Sequence, residues 1–167
     1  MQNTKELNMK KILILCLLSL SLWSTALTNV YSVTYKGSID TIEENILEHF
    51  KEVKLVVPWK LDILNEFKRK GLEKKFGKNF NTSHLSSVRT IVACNGKFGN
   101  MIINADPTMM AFCPIRITLI EKDGKTTVLY VRPTSAPKDS KAYPILKKLE
   151  KKVIKAIEDA NDFENKS

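Results

Sequence analysis

The fold is decided by Cys113 to Val131, CPIRITLIEKDGKTTVLYV. Ile115, Ile117 and Leu119 alternate with Arg116 and Thr118, the period of a strand with one face buried. Asp123-Gly124 follows, a pair that suits a two-residue hairpin turn because both positions tolerate a positive φ. Thr126 to Val131 is β-branched or aromatic at nearly every position and reads as the returning strand. An antiparallel hairpin therefore lies at the centre of the chain, and its one-faced strands need helices to cover them.

Outward from the hairpin, Val30 to Tyr35 alternates and reads as a first strand. Asp40 is a candidate cap for the next segment, with Glu43 three residues on to return the bond. Ile39, Ile42, Ile46, Phe50 and Val53 then recur at helical spacing. Lys54 to Val57 reads as a short strand stopped by Pro58, and Leu61 to Phe76 as an amphipathic helix weakened at Gly71. Ser83 to Ser87 is loop-like. Val88 to Ala93 is a strand ending in Cys94, with Asn95-Gly96 as a turn. Asn100 to Ala105 has room for one to two helical turns before Asp106-Pro107. Pro144 suits the first turn of a last helix whose greasy face is Ile145, Leu149, Val153, Ile157 and Ala160. The expected fold is α+β: a two-layer sandwich with an antiparallel sheet and helices on one face.

The N-terminus argues for export. Lys10 and Lys11 precede ILILCLLSLSLW, and Ser24-Thr25-Ala26 supplies small residues for a cut after Ala26. The apolar run is short for a span of about 20 residues, although an uncleaved anchor reaching Val30 is the alternative. Met9 is a natural start, and Cys16 lies too early for a lipid-attachment cysteine. The domains are thus residues 1–26 as signal peptide and 27–167 as one domain with its core at about 30–160. The expected location is the periplasm or envelope.

The formal net charge is +9, so the partner of a basic patch needs asking after. An exported protein rarely meets nucleic acid. An anionic membrane surface or wall polymer fits better, beside plain solubility. The densest basic run is FKRKGLEKKFGK, Phe67 to Lys78. Its Lys68, Arg69, Lys70, Lys74, Lys75 and Lys78 form a candidate anionic-surface patch interleaved with aromatics.

Cys94 and Cys113 are the only cysteines outside the leader. In an oxidising compartment a structural disulfide between adjoining strand ends is one reading. Two buried free thiols, and a metal or redox role, are the others. A redox pair is usually tightly spaced, and this one is not. Candidate ligand or metal residues are Cys94, Asn95, Asp106, Met109, Met110, Cys113 and His84, with Met101 nearby in sequence. Thioether and thiolate suit copper(I), and Met with His can hold haem iron, though no Cys-x-x-Cys-His attachment stretch exists. Core packing explains the methionines equally simply. His49 sits at the edge of the first helix's apolar face and reads as a hydrogen-bonded boundary histidine. Catalytic residues are not apparent: neither histidine lies in a nucleophile motif, Asp106 precedes proline as turn formers do, and Gly96-Lys97-Phe98-Gly99 is too short for a phosphate loop.

Taken in order, RTIVACNG (Arg89–Gly96), Asp106-Pro107, the Cys113-Pro114 pair and the hairpin resemble the domain of unknown function 302 family. Its members carry an Ala-Cys-Asn-Pro turn, a Pro-Cys step before a strand and a hairpin after it. Here Gly96 stands in place of the proline, Cys113 precedes its proline, and Leu61 to Thr82 is longer than usual. The resemblance covers roughly Val30 to Ala160. It implies a β-α-β4-α domain like one half of the TATA-binding-protein fold, often a homodimer, and no established reaction. The expected function is non-catalytic binding of an unidentified ligand near Cys94 to Cys113; the alternative is a thiol, soft-metal or haem-binding envelope protein.

Overall fold

A computed structural model describes residues 29–160. The leader, its cleavage after Ala26 and the start at Met9 lie outside the described residues. Among those described, no helix is long and apolar enough to cross a membrane.

Five strands form one antiparallel sheet: β1 (Val30–Lys36), β2 (Val56–Asp62), β3 (Ser87–Cys94), β4 (Ile115–Lys122) and β5 (Lys125–Val131), in the order β1-β5-β4-β3-β2. The β4–β5 hairpin turns at Asp123-Gly124, where both residues hold a positive φ, 51° and 68°. That is the backbone twist a two-residue hairpin requires. Strand β5 then pairs with β1 from Val30↔Val131 to Lys36↔Lys125.

Two helices, α1 (Ile39–Glu52) and α5 (Tyr143–Asp159), cover one face of the sheet. Ile42, Ile46 and Phe50 of α1 and Leu149, Val153 and Ile157 of α5 pack on Tyr35, Ile91, Ile117, Leu119, Val128 and Tyr130. Each fully buried aliphatic or aromatic side chain contributes about 1.5–3 kcal/mol, so this seam carries most of the fold's stability. The order is the expected α+β β-α-β4-α, with helical insertions on either side of β3. The opposite face, by alternation, carries Thr34, Thr127, Thr118, Arg116, Val92 and Trp59, and the Thr34–Thr127 hydroxyl bond on it is exposed.

Several local expectations are corrected. Ser38, not Asp40, caps α1: its Oγ accepts from Thr41 N, and the Glu121 carboxylate receives Ile39 N at 3.0 Å. A carboxylate there meets the positive end of the helix dipole. Glu43 does not return a capping bond; it is buried and ion-paired. Strand β2 does not stop at Pro58 but runs through it to Asp62, with an irregularity between Val56 and Trp59. An edge strand with a bulge tolerates proline because no ladder N–H is lost.

The expected helix from Leu61 to Phe76 is two pieces, α2 (Ile63–Arg69) and α3 (Leu72–Phe76). Gly71, at φ 71°, breaks it, and Leu61 belongs to β2. Asn95 is a cap instead of a turn residue. It opens α4 (Gly96–Ala105), four residues earlier than the expected start at Asn100. A 3-10 helix (Pro107–Phe112) follows, capped by Asp106.

Candidate functional site

The antiparallel pairing of β3 with β4 puts Ala93 opposite Ile115, so Cys94 and Cys113 lie side by side at one end of the sheet. Their Sγ atoms are 4.0 Å apart and both thiols are free. Cys113 is buried and Cys94 half-buried. Around them Ile102, Ala136, Ala142 and Leu146 form a second, smaller core, with Met109, Met110 and Phe112 packed against it. Burial, reinforced by the neighbouring Cys94, pushes the Cys113 thiol up to about 11. At neutral pH it is a protonated, poorly nucleophilic group.

The other sequence-derived candidates divide. Met109 and Met110 join the cysteines in this cluster. Asn95 and Asp106 lie beside it in the chain, but their side chains are committed to holding backbone. Asn95 Oδ1 accepts from Phe98 N, and its Nδ2 donates to Lys54 O at 2.9 Å. Asp106 accepts from Thr108 N, Thr108 Oγ1 and Ser140 Oγ, tying the connector to the loop before α5. The Ser140 and Thr108 bonds hold its carboxyl below the usual range. His84 is not brought in. It precedes β3, whereas Cys94 ends β3, and the strand between spans roughly 20 Å. His49 bonds Glu52 at 3.3 Å on α1. Among the described residues no three His, Cys, Asp or Glu side chains converge as a metal site. The basic run is exposed on α2, α3 and the 3-10 turn after them, and among the described residues only its Arg69 is ion-paired, with Glu66.

Immediately beside the Cys113-Pro114 step lies a cavity of about 340 Å³. Val92, Phe112, Pro114, Val131 and Pro133 make it mainly apolar, and Arg116 is its one charged side chain. Three of the four arginines have carboxylate partners: Arg69 with Glu66, Arg89 with Asp40 and Glu43, Arg132 with Glu150. Arg116 has none among the described residues. Trp59 and Val92 are register partners, and so are Val92 and Arg116, which places the tryptophan at the cavity's flank. The volume falls in the lower part of the range for small-molecule sites, about 300–1,000 Å³, and an apolar lining with a single charged anchor is how such sites orient a ligand. Arg116 was legible only as a basic residue between Ile115 and Ile117. The missing signal is that its strand shows it to the uncovered face.

A second constellation escaped the sequence altogether. Glu43 Oε1 meets Lys60 Nζ at 2.6 Å, and its Oε2 meets Arg89 Nη1 at 3.0 Å. Arg89 also reaches Asp40 at 2.6 Å and Asp62 at 3.7 Å. This network clamps α1 to β2 and β3, and every buried charge in it is paired, as a structural network requires.

A family model described as "Domain of unknown function DUF302" matches residues 31–160. The fold is similar to a solved structure, an uncharacterized conserved DUF302 protein from Bacillus stearothermophilus. The TM-score is 0.69 at 17% identity, covering 80% of this chain and 98% of that one. No curated protein matches.

Proposed function

The chain belongs to the DUF302 family, and from that premise we propose that it is an exported, non-catalytic domain that binds a small apolar acid in the groove beside Cys113-Pro114. The observation that carries this is Arg116: an arginine with no carboxylate partner among the described residues, standing over an apolar cavity. A guanidinium in that setting matches a carboxylate held by charge-assisted hydrogen bonds, with the ligand's hydrocarbon on Val92, Phe112 and Val131. The leader pattern Lys10 to Ala26 supports export.

The test uses octanoate as probe and Trp59 fluorescence as readout, on residues 27–167, where Trp59 is the sole tryptophan. That segment contains the whole described fold. Saturable binding is expected, weakened about tenfold or more by Arg116→Gln through loss of the charged hydrogen bond. Equal binding of octanol and octanoate would keep the groove and remove Arg116's role; binding of neither would remove the groove.

A second reading has its own observation. Two thiols 4.0 Å apart, with Met109 and Met110 in the same cluster, make a soft donor set suited to copper(I). Metal analysis of protein prepared under reducing conditions decides it: one copper(I) per chain, lost in Cys113→Ala, supports this reading, and a metal-free chain under copper excess removes it.

A further inference from the structure

We propose that the insertion between β2 and β3, residues 63–86, docks the domain on an anionic lipid surface. The insertion lies at the opposite end of β3 from the Arg116 groove, so this inference is independent of the ligand proposed there.

The first observation is aromatic exposure. Phe67 is 44% and Phe76 51% exposed, whereas Phe50 and Phe98 are buried. Both line one apolar cavity of about 530 Å³ together with Ile63, Leu64, Leu72 and Phe80. Leu64 is buried and Val88 of β3 shares the cavity, so the insertion is anchored to the sheet while its two rings face water. About half of each ring stays in water, and that half adds nothing to folding.

The second observation is the charge beside those rings. Lys68, Lys70, Lys74, Lys75 and Lys78 are exposed, and none has a carboxylate partner among the described residues. Lys75 Nζ lies 5.8 Å from the Phe76 ring centroid, so charge and aromatic share one patch.

Aromatic edges flanked by lysines match the membrane interface, where rings enter the acyl boundary and ammonium groups meet phosphate headgroups. A soluble polyanion such as a wall polymer would satisfy the lysines but offers no apolar phase for Phe67 and Phe76. The lipid surface is therefore the partner that uses the whole patch. Each lysine near an anionic surface is worth about fivefold in affinity, so removing three costs on the order of 100-fold.

The experiment is vesicle sedimentation of residues 27–167, with equimolar phosphatidylglycerol and phosphatidylcholine against phosphatidylcholine alone. The wild-type protein is expected to bind only the anionic vesicles, and to release as salt shortens the Debye length. Lys68→Gln/Lys70→Gln/Lys75→Gln should weaken binding on the order of 100-fold. Phe67→Ser/Phe76→Ser should weaken it as well, with its circular dichroism unchanged because the buried anchor Leu64 is retained. Absent binding to anionic vesicles, or binding unchanged in the lysine variant, overturns the proposal. Binding unchanged in the phenylalanine variant also overturns it, because the lysines alone would then account for adsorption to the charged surface.

Discussion

Oxidation of the cysteine pair is the perturbation whose size can be worked most fully. Cys94 and Cys113 sit at adjoining strand ends with their sulfurs 4.0 Å apart, so a modest side-chain rotation brings them to bonding distance. A bridge would close a loop of about 20 residues, and the lost freedom of the unfolded chain is worth about 3 kcal/mol. A domain of this size responds by roughly 10 °C in melting temperature. The assay is thermal unfolding of residues 27–167, air-oxidised and reduced, with free thiols counted in denaturant before each scan. The oxidised wild type should show no free thiol and melt roughly 10 °C higher than the reduced form. Cys113→Ala should show no redox-dependent difference. Two free thiols persisting after oxidation, or an equal shift in Cys113→Ala, would refute the reasoning from strand-end proximity.

Two further outcomes are expected. Arg89→Met leaves the buried Glu43 with Lys60 as its remaining partner, and should lower stability by about 2 kcal/mol in urea unfolding, with Glu43→Gln in the same chain recovering part of the loss; an unchanged midpoint would mean that the network does not clamp α1 to the sheet. In the reduced protein, alkylation of Cys113 should stay slow at pH 8 and accelerate toward pH 11, since burial and then Cys94 raise its thiol to about 11. Because the unfolded thiol ionises near its ordinary value of 9.0, the stability linked to Cys113 is complete below pH 9 and is lost as pH rises from there through about 11. Fast labelling of Cys113 in the folded protein at pH 8 would contradict this.

Much of the fold was legible because its signals are local. The hairpin rests on two adjacent residues that accept positive φ, and α1 and α5 on apolar residues at helical spacing. The resemblance to the DUF302 family added the likeness to one half of the TATA-binding-protein fold, which local signals do not contain. What local patterns obscured was set by partners far off in the chain. Pro58 ends a strand by propensity, yet at a bulged edge it costs no ladder bond. Asn95 reads as a turn residue by composition, but its amide reaches the carbonyl of Lys54 and caps α4. Asp40, Glu43, Lys60, Asp62 and Arg89 come from three elements, and no spacing joins them.

At the candidate site the legible part was the cysteine pair, because strand ends next to each other in an antiparallel sheet are a consequence of connectivity. Met109 and Met110 followed from the compact connector. His84 was grouped with them by residue type alone, and the length of β3 separates it. Arg116 was overlooked because a charged residue alternating with isoleucines is what any solvent-facing strand position looks like. Only the neighbouring Phe112, Pro114 and Val131, drawn together by the sheet, turn that position into the wall of a cavity.

The groove is tested most directly by a crystal structure of residues 27–167 grown with octanoate. The carboxylate is expected about 3 Å from the Arg116 guanidinium, with the alkyl chain on Val92, Phe112 and Val131. Octanoate bound elsewhere, or a groove left empty at saturating concentration, would contradict the claim that this cavity is the binding site.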